Sequence, residues 1–401
     1  MNILILHRIP YHKIEYDRGI DHGTHHVVYL GTEAALSNIP AELRCEKWLR
    51  PGVDKTEVEA INAISERHTR FDAVLSLSEY ELMSAAIVRE HFGIAGASVA
   101  QIERVRNKLL MKHIVDAAGI AVPQNLSLSE FFASAHLKWS GKTVLKPVDG
   151  ASSENVLVFE SPQQLKDALV DRRIGITSVD AGDYEAYEVE QFVSGDILHI
   201  DGLMLNGQLK LIVSSKYVGN CLAFAKGQPL GSVQIDTTDE LRTWSLAVLG
   251  AIGLSSGSFH LEAIQSERGL VFLEIANRVG GAEVVAAVEL ATGVHLPSAE
   301  LKAYLGEAVD APAETLFAKK FGWFVFPGHH LEQEFCVVKH SGQFRQDEMV
   351  VRWNELAHDQ PLTKRITYQS VEVPVAGIVG AECSTRLASF MSDIFATVEV
   401  H

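Results

Sequence analysis

Two short apolar segments, residues 259–264 and 270–275, each carry one carboxylate, Glu262 and Glu274, and are separated by Ser266-Glu267-Arg268-Gly269. Read as the strands of a hairpin whose loop has three or four residues, they set Glu262 opposite or within one position of Glu274, on one face. Two carboxylates about 5 Å apart repel by about 3 kcal/mol at an effective dielectric of about 20, which demands a proton, a neighbouring cation or a divalent metal. Oxygen-only ligands suit magnesium or manganese rather than zinc. Arg278, four residues past Glu274, adds a guanidinium to that face if the strand continues.

A second group of residues suits phosphate. Ile102, Val105, Leu109, Val115 and Ala118 recur at helical spacing and Gly119 ends the run, so a helix is expected over 102–118, with Lys108 and Lys112 one turn apart on it. Lys112 reads as a solvated helix residue rather than a ligand. Residues 142–147 read as a strand with Lys142, Val144 and Lys146 on one face. The loop that follows, Asp149-Gly150-Ala151-Ser152-Ser153, has little bulk, two hydroxyls and free backbone N–H groups, which suits close approach to phosphate oxygens. Between 179 and 196 stand Asp180, Asp183, Glu185, Glu188, Glu190 and Asp196 without a Lys or Arg, by itself the pattern of a solvated face, yet 187–193 alternates as a strand. Phosphates need cations and backbone donors, and magnesium needs carboxylates, so the set is complete for an ATP site.

The elements that must position these residues follow from periodicity. In the first hundred residues, apolar strands at 3–6, 27–30 and 73–77 alternate with helical patterns at 55–67 and 79–92, the mark of βαβ units and a parallel sheet. No G-x-G-x-x-G follows the first strand, which argues against a redox dinucleotide enzyme. Beyond 187 the pattern is antiparallel, with Asn206-Gly207 as a type I′ hairpin signal. The glycine-bearing stretch 215–234 reads as a lid over substrates or an exposed connection.

Composition excludes several classes. The 401 residues predict two to four domains with ample core, and Lys+Arg 35 against Asp+Glu 51 leaves a net charge of -16, which repels nucleic acid and anionic membranes. The cysteines, Cys45, Cys221, Cys336 and Cys383, form no C-x-x-C pair, so neither a disulfide framework nor a zinc ribbon is indicated. The histidines, among them His22, His25, His26, His329 and His330, lack the spaced acidic or Cys partners of a zinc site. The first residues carry no basic segment and only a short apolar run, which points to a buried first strand in a cytoplasmic protein.

With these residues in this order, the chain resembles the ATP-grasp superfamily of carboxylate-amine ligases over about residues 1–310, and within it the L-amino acid ligases, which join two free amino acids. The segments Gly257-x-Phe259-His260-Leu261-Glu262 and Leu273-Glu274-Ile275-x-x-Arg278-x-Gly280-Gly281 carry the resemblance most specifically. It implies an α/β and α+β chain of ATP-grasp fold. A Rossmann-like pre-ATP-grasp domain would occupy 1–100, an ATP-grasp small lobe 101–195, a metal-bearing core lobe 196–310, and a C-terminal subdomain packed on the core 311–401.

The resemblance also implies roles. Lys108 and Lys146 would contact the phosphates of ATP beneath a loop of Gly150, Ala151, Ser152 and Ser153. Glu190, Gln191, Phe192 and Val193 would form the hinge whose backbone at Glu190 and Val193 meets adenine, side-chain identity there mattering little. Glu262 and Glu274 would hold Mg2+ or Mn2+, and Arg278 would stabilise an acyl phosphate. Two departures stand out: Ala276 occupies a frequent metal-ligand Asn position, and Ile197 that of a ribose-binding acid, for which Asp201 or His199 could substitute. The chemistry implied is phosphoryl transfer to a carboxylate, then capture of the acyl phosphate by an amine, with His260 and Glu283 as candidate bases. Small-molecule partners, ATP and amino acids, follow, with a homodimer as the commonest assembly. The chain's acidity favours a cationic amino acid such as arginine. The rival expectations are a ligase for another carboxylate and a nucleotide-binding protein without turnover.

Overall fold

The computed structural model describes residues 1–309 and 318–401. The first lobe is a parallel sheet of β1 (Asn2–Leu6), β2 (His26–Gly31), β3 (Glu46–Leu49) and β4 (Ala73–Leu75) in the order β3-β2-β1-β4. Ile3, Leu4, Ile5 and Leu6 are all buried because both faces are covered, as a parallel sheet requires. Helices Thr56–Arg67 and Leu82–Phe92 cover one face, and Tyr11, Tyr16 and Ile14 cover the other. Helix Leu82–Phe92 stops where expected, at Gly93 in the left-handed conformation. The edge strand β3 escaped the sequence reading because of its residues only Trp48 is buried, so no apolar alternation marks it.

The helix expected over 102–118 is two helices, Val99–Glu103 and Lys108–Ala117. The break arises because the Asn107 side chain accepts the Leu110 N–H at 3.0 Å and caps the second helix, placing Lys108 at its first position. Met111 and Val115 on that helix pack with Leu198, Ile200 and Phe259 of the core, so helix Lys108–Ala117 shares the core's packing rather than that of the small lobe, while Ile102 packs with Leu82 and Ala86 of the first lobe.

The small lobe proper is an antiparallel sheet of β5 (Asn125–Ser127), β6 (Thr143–Pro147), β7 (Leu157–Phe159) and β8 (Tyr187–Gln191), in the order β5-β8-β6-β7. Helices Leu128–Ala133 and Pro162–Val170 bury Leu128, Phe131, Leu165 and Leu169 against it.

The remaining strands are β9 (Asp196–Leu205), β10 (Gln208–Val218), β11 (Leu230–Ile235), β12 (Gly257–Ser266), β13 (Gly269–Ala276), β14 (Lys320–Phe326), β15 (Val338–Lys339), β16 (Val350–Glu355), β17 (Val375–Ala381) and β18 (Glu399–Val400). Eight of them form one antiparallel sheet, β13-β12-β9-β10-β11-β14-β17-β16. Asn206 and Gly207 take φ of 52° and 77°, the pair of positive values a type I′ turn needs, and join β9 to β10. Two expectations change here. The stretch 215–234 is the end of β10, helix Cys221–Ala225 and β11, not a loop. The C-terminal region does not pack on the core as a separate subdomain, since β14 pairs with β11 and continues the core sheet; the boundary placed at 310 lies outside the described residues. Among the described residues no single helix is long and apolar enough to cross a membrane, and all four cysteines are free.

One buried acid beneath the sheet gives a stability prediction. Glu300, on helix Leu296–Tyr304, is 1% exposed, and burial pushes its carboxyl from the ordinary 4.5 up to about 7 despite the hydrogen bond from Tyr304. A raised folded value stabilises most where both states are protonated, below about 4.5, and that contribution is lost as pH rises to about 7. The shift corresponds to about 3 kcal/mol. Glu300→Gln is therefore expected to be more stable than wild type by about that amount at about pH 8, with the gap closing near pH 4 in urea titrations. A constant difference across that range contradicts the assignment.

Candidate active site

The carboxylate hairpin has a shorter turn than expected, since Ser266 pairs with Gly269 and only Glu267 and Arg268 lie between. That register continued unbroken would set Glu262 against Leu273. A bulge between Glu262 and Ala263 shifts the pairing by one and sets Glu262 directly opposite Glu274. Glu274 lies 3.2 Å from the Lys108 ammonium, which also donates to the Gly150 carbonyl at 2.6 Å. Burial would push the Glu274 carboxyl up, but Lys108, Lys146 and His260 outweigh it and hold it at about 2, so it is ionised at neutral pH. Glu262 accepts from the Tyr217 hydroxyl at 2.8 Å. Two directly opposed carboxylates offer oxygen ligands of the kind that fit a hard divalent cation. Ala276 supplies no ligand, and Asn277 is turned away, donating to the Ser258 carbonyl at 2.8 Å.

Lys146 is buried, 2.8 Å from Glu190 and 3.6 Å from Glu188. Burial would push its ammonium down, but Glu190, Glu188 and Glu274 outweigh it and keep it charged. Three expectations are corrected at this point. Lys112 is not solvated: it is 0% exposed, 2.6 Å from Glu190 and bonded to Glu188. Glu188 and Glu190 are buried rather than part of a solvated face. The Glu190 side chain is no bystander to its backbone, since its two oxygens serve Lys146 and Lys112 separately.

Two chambers with lining residues in common lie beside this set. One, with about 1060 Å³ of open space, is lined by Lys146, Glu190, Gln191, Phe192, Val193, Ile197 and Ile264. The other, with about 870 Å³, is lined by Arg106, Glu79, Arg278, His260, Trp323 and Tyr368. Lys108, Gly150, Ala151, Ser152, Ser153, Glu262 and Glu274 line both. Ser152 and Ser153 have φ of 60° and 56°, a left-handed backbone unusual for serine, in the loop that lines both chambers. In the second chamber Arg278 donates to Glu79 at 2.5 Å and Arg106 bonds the other Glu79 oxygen. Burial would push the Glu79 carboxyl up, but the two guanidiniums outweigh it.

Asp201 stands outside both linings. Its oxygens accept from His199 at 2.6 Å and His260 at 2.8 Å, deep in the sheet, so it does not take the place of a ribose ligand beside Ile197; His199 is likewise engaged, by Asp201 and Ser232. Burial would push His260 down, but Asp201 and Glu262 outweigh it and raise it to about 10, so it holds a proton and is no resting base. The other base candidate, Glu283, is engaged by Arg352 and lies 3.7 Å from Lys13; it lines neither chamber, although its neighbours Ala282 and Val284 line the second. The cluster has a further effect: a Cβ on Gly280 would come within 2.7 Å of Asp201 and 3.0 Å of His260, so the turn after Arg278 requires glycine.

Glu79, Arg106, Tyr217, Trp323 and Tyr368 escaped the sequence reading. Tyr217 lies two residues along β10 from Ser215, the partner of His199, which itself pairs with Glu262, so a correct sheet order would have found it. Glu79 and Arg278 are 199 positions apart, and no local pattern signals their meeting.

No family model matches the chain. It is 27% identical over 231 residues, 55% of this chain and 54% of the relative, to the L-arginine-specific L-amino acid ligase of Bacillus subtilis. It is also 27% identical over 187 residues, 44% and 43% of the two chains, to dapdiamide A synthase of Enterobacter agglomerans. The chain thus matches about half the length of these curated relatives. Among solved structures it is similar to an L-amino acid ligase from Bacillus licheniformis, with TM-score 0.74 and 17% identity over 100% of this chain and 98% of that one. An N5-carboxyaminoimidazole synthetase from Staphylococcus aureus complexed with ADP superposes with TM-score 0.69 and 13% identity over 98% and 96%. These structural likenesses show the ATP-grasp fold, and the curated relatives to which the chain is similar in sequence are an L-amino acid ligase and dapdiamide A synthase.

Proposed function

We propose that the chain is an ATP-dependent ligase that joins two amino acids through an acyl phosphate, releasing ADP and phosphate. The observation that carries this reading is the junction of the two chambers, where Lys108, the loop of Gly150 to Ser153, Glu262 and Glu274 face both. The first chamber suits the nucleotide, with the apolar walls of Val144, Ile197 and Ile264 for a flat ring and Lys146 and Lys108 toward its phosphates. Glu262 and Glu274 would hold Mg2+ or Mn2+, which supplies charge neutralisation at the phosphates. The second chamber suits the amino acids. Arg106 and Arg278 carry two positive charges against the single acid Glu79, an excess that attracts a substrate carboxylate and then the acyl phosphate.

In the reaction a substrate carboxylate oxygen attacks the γ-phosphorus and ADP leaves. Lys146, Lys108 and Arg278 offset the negative charge that develops. The second amine then attacks the acyl carbon and expels phosphate, and the enclosing loop keeps water from doing so first. A basic amino acid such as arginine is the favoured member of the pair; the net charge of -16 supports this, as does the arginine named for the Bacillus subtilis relative. A cytoplasmic homodimer is the proposed setting. The test is phosphate release with MgATP across pairs of the standard amino acids. Release only with particular pairs, arginine-containing ones foremost, is expected. Binding of ATP with no release for any pair contradicts the reading in favour of a nucleotide-binding protein, and a preference for Asp or Glu removes the basic substrate.

A further inference from the structure

Lys112 lines neither chamber, yet it is a charge with no exposure at all. Burying an ammonium is costly unless it is paired, and an apolar side chain would fill this helix position without that cost. Its surroundings show what the charge does. Lys112 bonds Glu188 and lies 2.6 Å from Glu190, while Lys146 lies 2.8 Å from Glu190 and 3.6 Å from Glu188. Two lysines and two glutamates thus form one buried, neutral set, of which Lys146 and Glu190 reach the chamber. Without Lys112, two carboxylates would stand behind one lysine, leaving a net negative charge where a polyphosphate has to bind.

The set also spans two bodies of packing. Met111 and Val115, beside Lys112 on its helix, belong to the core cluster with Leu198 and Ile200. Glu188 and Glu190 lie on β8, between β5 and β6 of the small-lobe sheet, just before the chain crosses into β9 of the core sheet. Lys112 therefore ties the core helix to the small-lobe strand at the crossing.

We propose that Lys112 is a positioning residue for the nucleotide: it cancels one of the two carboxylates beside Lys146, so that the phosphates meet a neutral set with Lys146 foremost rather than a net negative one, and it fixes β8 against the core while doing so. The inference rests on the nucleotide reading of the first chamber. It predicts that affinity follows the charge count of the set, which packing alone would not produce.

The experiment is calorimetric titration of the whole protein with MgADP, which separates binding from turnover, with the melting temperature of each variant measured alongside. Lys112→Met is expected to weaken MgADP about tenfold or more. Lys112→Met/Glu188→Gln, neutral again, is expected to return to within about threefold of wild type, and Lys112→Arg to stay close to wild type. Glu188→Gln alone leaves the set positive and is expected to tighten binding severalfold; this milder variant tests the claim even if Lys112→Met fails to fold. Equal affinity in wild type and Lys112→Met overturns the inference, as does a double variant as weak as the single one, or weaker binding in Glu188→Gln. Wild-type protein that binds no MgADP overturns the nucleotide reading itself, and the inference falls with it.

Discussion

Glu274→Gln is expected to lower amino-acid-dependent phosphate release by about a thousandfold while moving the melting temperature by only a few degrees. The reason lies in what surrounds this carboxylate. Lys108, Lys146 and His260 outweigh the repulsion from Glu262 across the hairpin, but the Glu274 side chain is 34% exposed, so solvent screens the stability its charge adds. Its partner Lys108 keeps the hydrogen bond to the Gly150 carbonyl. The folded state thus loses little, whereas the opposed carboxylate pair, which fits a divalent cation, is gone. Release within about tenfold of wild type would remove Glu274 from the site.

Lys146→Met is expected to abolish turnover to a similar degree, about a hundredfold to a thousandfold, but with a different stability signature. Lys146 is buried between Glu190 and Glu188, so its loss leaves buried carboxylate without a partner. Breaking such a set costs about 3 to 5 kcal/mol, far more than the change at Glu274. Urea titrations of the two variants side by side should therefore separate them although their rates look alike. A Lys146→Met protein as stable as wild type would contradict the buried set.

The contrast bears on what the sequence could reveal. The carboxylate hairpin was legible because each strand carries its own alternation and a turn-like link joins them. Its register was not, because it depends on the bulge at Glu262, which no local composition marks. Glu188 and Glu190 stand two apart on a strand and so share a face, but the acidic run around them looks like surface until Lys112, 76 positions before Glu188, is known to meet it. Periodicity reports which face of an element is apolar, and it is silent on a buried charge whose partner arrives from elsewhere in the chain. The split of helix 102–118 could have been read from Asn107, a good capping residue placed directly before Lys108. The joining of β14 to β11 could not, since it rests on sheet order alone.

The central claim is that a substrate carboxylate attacks the γ-phosphate and that the resulting acyl phosphate is captured by an amine. The most direct measurement supplies MgATP with an amino acid whose carboxylate oxygens are heavy-isotope labelled, then weighs the phosphate and the peptide released. One labelled oxygen in each inorganic phosphate, together with a dipeptide product, is the expected result. Unlabelled phosphate, or release of AMP and pyrophosphate in place of ADP, would contradict it.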